Sequence, residues 1–310
     1  MSASPRTPEK EHPFYIFAMD HRASLAKDVY SIAGEPTADQ AARLAEGKRL
    51  VFEGAASVRD RLPAGSVPGI LVDERYGAAV ARAAKEQGLL LLMPIERSGR
   101  PFFELEYGSF GDSDWLEHVE AFDPDYVKIL VRDNPGFDVG GRRRQQEHLA
   151  SVTQELHGHG RRFIIELLVP ATSAQQAAGA DEYDRTIRPG LTQELIREFQ
   201  HAGVEPDIWK LEGYETRDAA AAVAATSREG GRAAVRCIVL GRDSTQDRLD
   251  HWLETAAPVD GFAGFAIGRS IWQQPLLDHL AGRIDASTLR ARIGASYLGY
   301  ADDYHAAATA

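Results

Sequence analysis

The chain has 310 residues, 44% of them hydrophobic, and a formal net charge of -11 at pH 7. That is enough apolar material for a sizeable core in a single domain, and the negative charge disfavours non-specific binding to nucleic acid or to an anionic membrane surface. No apolar run approaches the roughly 20 residues needed to cross a bilayer, and the lone cysteine, Cys237, rules out an internal disulfide framework or a cysteine-rich zinc site.

Met1 to His12 is polar and proline-punctuated, so it is expected to be a disordered lead-in and not a signal segment, which places the chain in the cytoplasm. A first strand is expected over Phe14 to Asp20. A helix follows, opened by a capping box of Thr37 and Gln40 and carrying Leu44, Gly47, Val51, Gly54, Val58 and Leu62 at helical spacing. Further strand signals lie at Gly69 to Asp73, Leu89 to Glu96, Tyr126 to Arg132, Arg162 to Val169, Ile208 to Gly213, Val235 to Gly241 and Gly261 to Gly268. Helices between them are expected to stop at Gly88, Gly160, Gly203 and Gly230. The aromatic and charged segment Arg97 to Gly111 reads as a long loop, and Asp285 onward as an extra helix with a loose alanine-rich end.

Strands alternating with helices argue for parallel strands, and eight such units favour a closed (β/α)8 barrel of the TIM type over residues 13–284. An open doubly wound sheet is weakened by the lack of a dinucleotide fingerprint after the first strand. The C-terminal helix and tail then occupy 285–310.

Charges inside apolar runs carry the functional reading. Lys210 sits in Asp-Ile-Trp-Lys-Leu-Glu-Gly, Lys128 in Tyr-Val-Lys-Ile-Leu-Val-Arg and Glu166 in Phe-Ile-Ile-Glu-Leu-Leu-Val. A buried ammonium group is costly unless paired or used. Alternation puts Lys210 and Glu212 on one face, and Tyr126, Lys128, Leu130 and Arg132 on another inward face. Asp20 with His21 and Arg22, Asp73 with Glu74 and Arg75, and Glu96 close other strands at the end where such barrels place their active sites.

Any one of Asp73, Glu74 or Glu96 is as readily a structural ion pair as a functional group. A lysine among apolar walls with a second cation nearby has its neutral amine favoured, and that amine attacks a ketone to form an imine. Glu166 or Asp20 would then accept a hydroxyl proton as a carbon–carbon bond breaks. Gly241 with Arg242, and Gly268 with Arg269, end the last two strands where phosphate sites form. The alternative is that these glycines only turn the chain. Asp20, His21, Asp73 and Glu166 could also form an oxygen-rich magnesium site, but the imine chemistry calls for no metal or other cofactor. Cys237, in Val-Arg-Cys-Ile-Val-Leu, reads as a small buried hydrophobe.

Several long words in one order resemble a known family, the aldolase-like domain fused behind the sugar kinase in bacterial inositol-catabolism proteins, the 2-deoxy-5-keto-gluconate-6-phosphate aldolases. They are Asp-His-Arg at 20–22, Val-Asp-Glu-Arg-Tyr-Gly at 72–77, Glu-Arg-Ser-Gly at 96–99, Phe-Glu-Leu-Glu-Tyr-Gly at 103–108 and Glu-Leu-Leu-Val-Pro-Ala at 166–171. Val-Glu-Pro-Asp-Ile-Trp-Lys-Leu-Glu-Gly at 204–213, Cys-Ile-Val-Leu-Gly-Arg at 237–242 and Gly-Phe-Ala-Ile-Gly-Arg at 264–269 complete the set. The order of elements is more distantly similar to the tagatose-bisphosphate and sulfofructose-phosphate aldolases.

The resemblance implies a class I aldolase with its Schiff base on Lys210, cleaving a phosphorylated keto sugar acid to dihydroxyacetone phosphate and malonate semialdehyde. Lys128 would depress the Lys210 pKa and bind substrate oxygen, Arg22 or Arg132 would hold a carboxylate, and Gly241, Arg242, Gly268 and Arg269 would seat the phosphate. Two departures stand out: Arg-Asp-Asn-Pro at 132–135 replaces an expected Arg-Tyr-Asn-Pro, and Asp243 stands where a glycine is usual. A small sugar phosphate and further copies of the same chain are the expected partners.

Overall fold

Apolar runs of strand length become parallel strands in the computed structural model, which describes residues 12–177, 179–241 and 245–310. They are β1 (Phe14–Ala18), β2 (Val67–Leu71), β3 (Leu90–Pro94), β4 (Tyr126–Arg132), β5 (Phe163–Leu168), β6 (Ile208–Glu212), β7 (Arg236–Leu240) and β8 (Phe262–Ile267). Each pairs with the next and β8 pairs back to β1, so the sheet closes into a barrel in chain order. One main helix follows each strand: α1 (Ala38–Ala56), α2 (Glu74–Glu86), α3 (Asp114–Phe122), α4 (Val139–Gly158), α5 (Arg188–His201), α6 (Arg217–Ser227), α7 (Gln246–Ala256) and α8 (Arg269–Leu280), with short helical turns at Leu25–Val29 before α1 and at Ser173–Gln176, Ala180–Glu182 and Tyr183–Ile187 before α5. A ninth, α9 (Ala286–Thr309), packs against α1, α7 and α8. The chain is thus a single-domain TIM barrel.

The two-residue period of a strand sorts the side chains into two cores. Phe14, Ile16, Leu71, Leu92, Tyr126, Ile164, Ile208 and Ile238 fill the barrel interior. Their neighbours Tyr15, Phe17, Val127, Ile165, Trp209 and Val239 face outward and pack beneath the helices. The expected capping box at Thr37 and Gln40 is formed, and Gly88, Gly160, Gly203 and Gly230 all take positive φ just beyond helix ends. Strands stop two residues short of their expected C-terminal ends at β1, β2 and β3, so Asp20, Asp73 and Glu96 lie just past the ladder. The alanine-rich end of the chain is helical through Thr309 and not loose, in keeping with the high helix propensity of alanine. Among the described residues no helix is long and apolar enough to cross a membrane.

Candidate active site

Register brings the inward charges together. β5 and β6 pair Glu166 directly with Lys210, and Lys210 Nζ lies 2.8 Å from Glu166 Oε1. The other Glu166 oxygen is 2.8 Å from Lys128 Nζ, so one carboxylate bridges both lysines. Lys128 Nζ also donates to Asp20 Oδ2 at 2.9 Å and to Glu96 Oε1 at 2.9 Å. Arg22 Nη2 donates to the same Glu96 oxygen at 3.1 Å, and Arg22 Nη1 sits 3.6 Å from Glu106. All of these groups are largely buried. The result is an alternating network of cations and carboxylates across the C-terminal ends of β1, β3, β4, β5 and β6.

This alternation fixes the protonation states. Burial pushes Lys128 down, but Asp20, Glu166 and Glu96 together outweigh it and hold the ammonium well above the usual lysine range. Burial pushes Asp20 up, but Lys128, Lys210 and His21 override it and hold the carboxyl far below its ordinary value. Glu166 follows the same logic: burial raises it, and Lys128 and Lys210 bring it down to about 2. Lys128 was expected to stand beside Lys210 as a second cation that depresses its pKa and binds substrate oxygen. In the structure three carboxylates, Asp20, Glu96 and Glu166, surround the Lys128 ammonium.

A cavity of about 220 Å³ opens in front of Lys210. Asp20, Arg22, Glu96, Lys128, Arg132, Glu166, Gly241 and Arg269 of the expected set line it. It adjoins a groove of about 910 Å³ through the shared residues Arg22, Ser98 and Gly99, and the groove adds Lys27, Arg75, Arg97 and Arg100 to its walls. The loop after β3 therefore does lie on the rim.

Three expected site residues among those described fall elsewhere. Asp73 does not line the cavity: its Oδ2 caps α2 by accepting the Tyr76 N–H at 2.9 Å, and its Oδ1 pairs with the buried Lys48. The proposed magnesium set is thereby split, and among the described residues no cluster of His, Cys, Asp and Glu is arranged to hold a metal ion. Glu212 is buried away from the cavity and accepts the Val169 N–H at 3.0 Å, a backbone donor left free where β5 ends. Gly268 does not line the cavity either. A Cβ there would lie 2.2 Å from the Ala18 carbonyl oxygen, so close passage of β1 accounts for this glycine. Arg242, with Asp243, lies outside the described residues.

Lys48 and Glu106 were not among the expected site residues, and His21 was expected only as part of a magnesium set. Lys48 carried a signal, since it falls on the buried stripe of α1 four residues after Leu44 and three before Val51. Its ammonium also bonds the Met19 carbonyl beside Asp20. Glu106 lies in the word Phe-Glu-Leu-Glu-Tyr-Gly at 103–108, but its contact with Arg22 depends on how the loop folds back. Cys237 is buried as expected, and burial pushes its thiol up to about 12.

Comparison with known proteins agrees with the architecture. No curated protein matches the chain by sequence. Among solved structures, a fructose-bisphosphate aldolase from Slackia heliotrinireducens superposes with a TM-score of 0.54 at 14% identity, over 90% of this chain and 85% of that one. Cgl0159 from Corynebacterium glutamicum gives 0.52 at 17% identity, over 91% and 85%. The YdjI aldolase from Escherichia coli K12 gives 0.51 at 11% identity, over 96% and 93%. At such identities the likeness is one of fold. The family described as "Uncharacterized protein conserved in bacteria (DUF2090)" matches residues 2–307, and the chain belongs to it.

Proposed function

We propose that this barrel is a class I aldolase with Lys210 as its imine-forming residue. The observation that carries the reading is the Lys210 Nζ to Glu166 Oε1 contact of 2.8 Å at the wall of a cavity. A carboxylate at that distance takes the ammonium proton when a carbonyl arrives, which frees the amine for attack. Glu166 is kept ionised for this by Lys128 on its other oxygen. The aldolase names of two of the similar barrels support the class.

The surroundings support a phosphorylated keto sugar acid as substrate. Arg269 and Gly241 line the cavity, and a phosphate would sit against them. The cavity is smaller than the roughly 300–1,000 Å³ typical of ligand pockets, so a longer substrate must reach past Arg22 into the cationic groove. This fits 2-deoxy-5-keto-gluconate 6-phosphate, with dihydroxyacetone phosphate and malonate semialdehyde as products, and thus a role in inositol catabolism. Tagatose bisphosphate and sulfofructose phosphate are the competing ketoses.

Borohydride reduction in the presence of dihydroxyacetone phosphate, followed by peptide mass analysis, tests the reading. The expected result is a stable adduct on Lys210 that is lost in Lys210→Ala. Tight binding of the phosphate with no adduct would mean a catalytically silent sugar-phosphate barrel. Cleavage that chelator abolishes and borohydride spares would mean a metal-dependent aldolase. Comparing cleavage rates on the three sugars identifies the substrate.

A further inference from the structure

We propose that His21 is the general acid–base residue of the site, taking the carbinol proton as the carbon–carbon bond breaks and returning it to the enamine; this rests on the class I aldolase reading. His21 follows Asp20 just past the end of β1, and it lines the same cavity as Lys210, Lys128, Glu166 and Arg269. The ring is held in place. It packs edge-on against Trp272, with centroids 5.4 Å apart and planes at 70°, and the Trp272 indole N–H is anchored on the Ala18 carbonyl at 3.0 Å. On another side it abuts Gly268, where an added Cβ would come within 3.1 Å of the His21 Cε1.

His21 stands out chemically from its neighbours. Asp20, Glu96, Lys128 and Glu166 are all tied into the ion-pair network. The imidazole makes no hydrogen bond among the described residues, and its buried Nδ1 has no partner. The groups facing it are Asp20 from its own strand end, Arg269 from α8, Lys48 from α1 and Lys210 from β6. Burial first, then those three cations, keep the ring neutral down to about pH 4, with Asp20 opposing them. It is therefore a free base at neutral pH.

Glu166 and Asp20, the two carboxylates near the same step, are already committed, Glu166 to the Lys210 proton and to Lys128 and Asp20 to Lys128, and these lysines hold both carboxyls well below their ordinary values. A proton acceptor works best when its pKa lies nearer the operating pH. Of the three, only the imidazole lines the cavity without being held in an ion pair.

The step balances without a co-reactant. The substrate hydroxyl passes its proton to an imidazole nitrogen, the carbon–carbon bond breaks, and its electron pair moves into the iminium to give an enamine on Lys210. The aldehyde fragment leaves. The imidazolium then protonates the enamine carbon, and water hydrolyses the restored iminium to release the ketone and the lysine.

The test compares full-length wild type, His21→Ala and His21→Gln, using dihydroxyacetone phosphate for borohydride trapping and the keto sugar acid phosphate for cleavage. Loss of a general base costs about 10²–10⁴-fold, and this loss is expected in cleavage far more than in adduct yield for both variants. Added imidazole is expected to restore cleavage by His21→Ala, where it has a space to occupy, and to leave His21→Gln unchanged. Cleavage within about threefold of wild type in either variant overturns the assignment. So does a parallel loss of adduct and cleavage in both variants, or a loss in His21→Ala that imidazole leaves untouched. Absence of an adduct in wild type overturns the aldolase reading itself, a result distinguishable from any of these.

Discussion

Glu166 is the residue on which both lysines depend, since each of its oxygens serves one ammonium. Glu166→Gln removes a charge that two buried cations share, and breaking a buried pair from one side costs about 3–5 kcal/mol. A carboxyl with a depressed folded-state pKa contributes stability above its unfolded value, near 4.3, and loses it as pH falls through the folded value. The gap between wild type and Glu166→Gln should therefore be constant above about pH 5 and narrow as pH falls from about 4.3 toward the folded value of about 2. Urea unfolding across that range reads the trend, and a gap that widens on acidification contradicts it. Two glycines make a second residue-scale contrast. A Cβ on Gly241 meets Leu249 at 3.4 Å and Ile267 and Ser270 at 3.5 Å, ordinary contact, whereas one on Gly268 strikes the Ala18 carbonyl. Gly241→Ala should stay within about 0.5 kcal/mol of wild-type stability while weakening phosphate binding, as judged by the dihydroxyacetone phosphate concentration needed for trapping. Gly268→Ala should lose roughly 1–3 kcal/mol of stability through overpacking.

Between elements, the site is held from outside the barrel by buried cations. Lys48 of α1 bonds the Met19 carbonyl after β1 and the Asp73 carboxylate after β2, joining the strand ends that flank Asp20. Arg188 of α5, fully buried, donates to the Gly213 carbonyl at 2.6 Å and to Asp184 at 2.8 Å, which fixes the end of the strand that carries Lys210. Lys48→Met should destabilise by about 3–5 kcal/mol. Adding Asp73→Asn should cost less than the sum of the two single changes, with a coupling energy of about 0.5–3 kcal/mol. Additive losses in thermal unfolding would show that the pair does not act as a unit. These ties also mark the limit of what the sequence reveals. Strand alternation, helix stops at glycine and the three charges at 128, 166 and 210 are local patterns, and each was legible from its neighbours. Whether Asp73 meets Lys48 or the cavity depends on the packing of α1 against two strands, and whether Glu212 meets a ligand or the Val169 N–H depends on where β5 ends. Neither partner lies nearby in sequence, so the acids at positions 73 and 212 resembled site residues without being placed there.

For the molecule as a whole, the weak point of a closed barrel is the seam where the last strand meets the first, and α9 covers it. Tyr297 donates to the Tyr15 carbonyl at 2.6 Å on β1, and Tyr304 accepts the Gly264 N–H at 2.8 Å on β8. The Tyr15 and Phe265 rings stack across the seam at 5.0 Å, with Tyr304 edge-on to Tyr15 at 6.0 Å. The register between β7 and β8 shifts near this point, and Gly264 has φ +110°. Tyr304 thus pairs with a backbone donor at an irregular step of the ladder. In Tyr304→Phe the ring still fills its space but that N–H is buried without a partner, a loss of about 1–3 kcal/mol. Tyr300 is the control, because its hydroxyl donates to the Gln246 side chain at 2.7 Å in a partly buried setting. Tyr300→Phe should cost only about 0.5–1.5 kcal/mol, the net value of an ordinary hydrogen bond. Hydrogen exchange adds a local readout: the Gly264 amide should lose protection in Tyr304→Phe and keep it in Tyr300→Phe. Equal protection in the two variants would mean that β8 holds its register without the C-terminal helix.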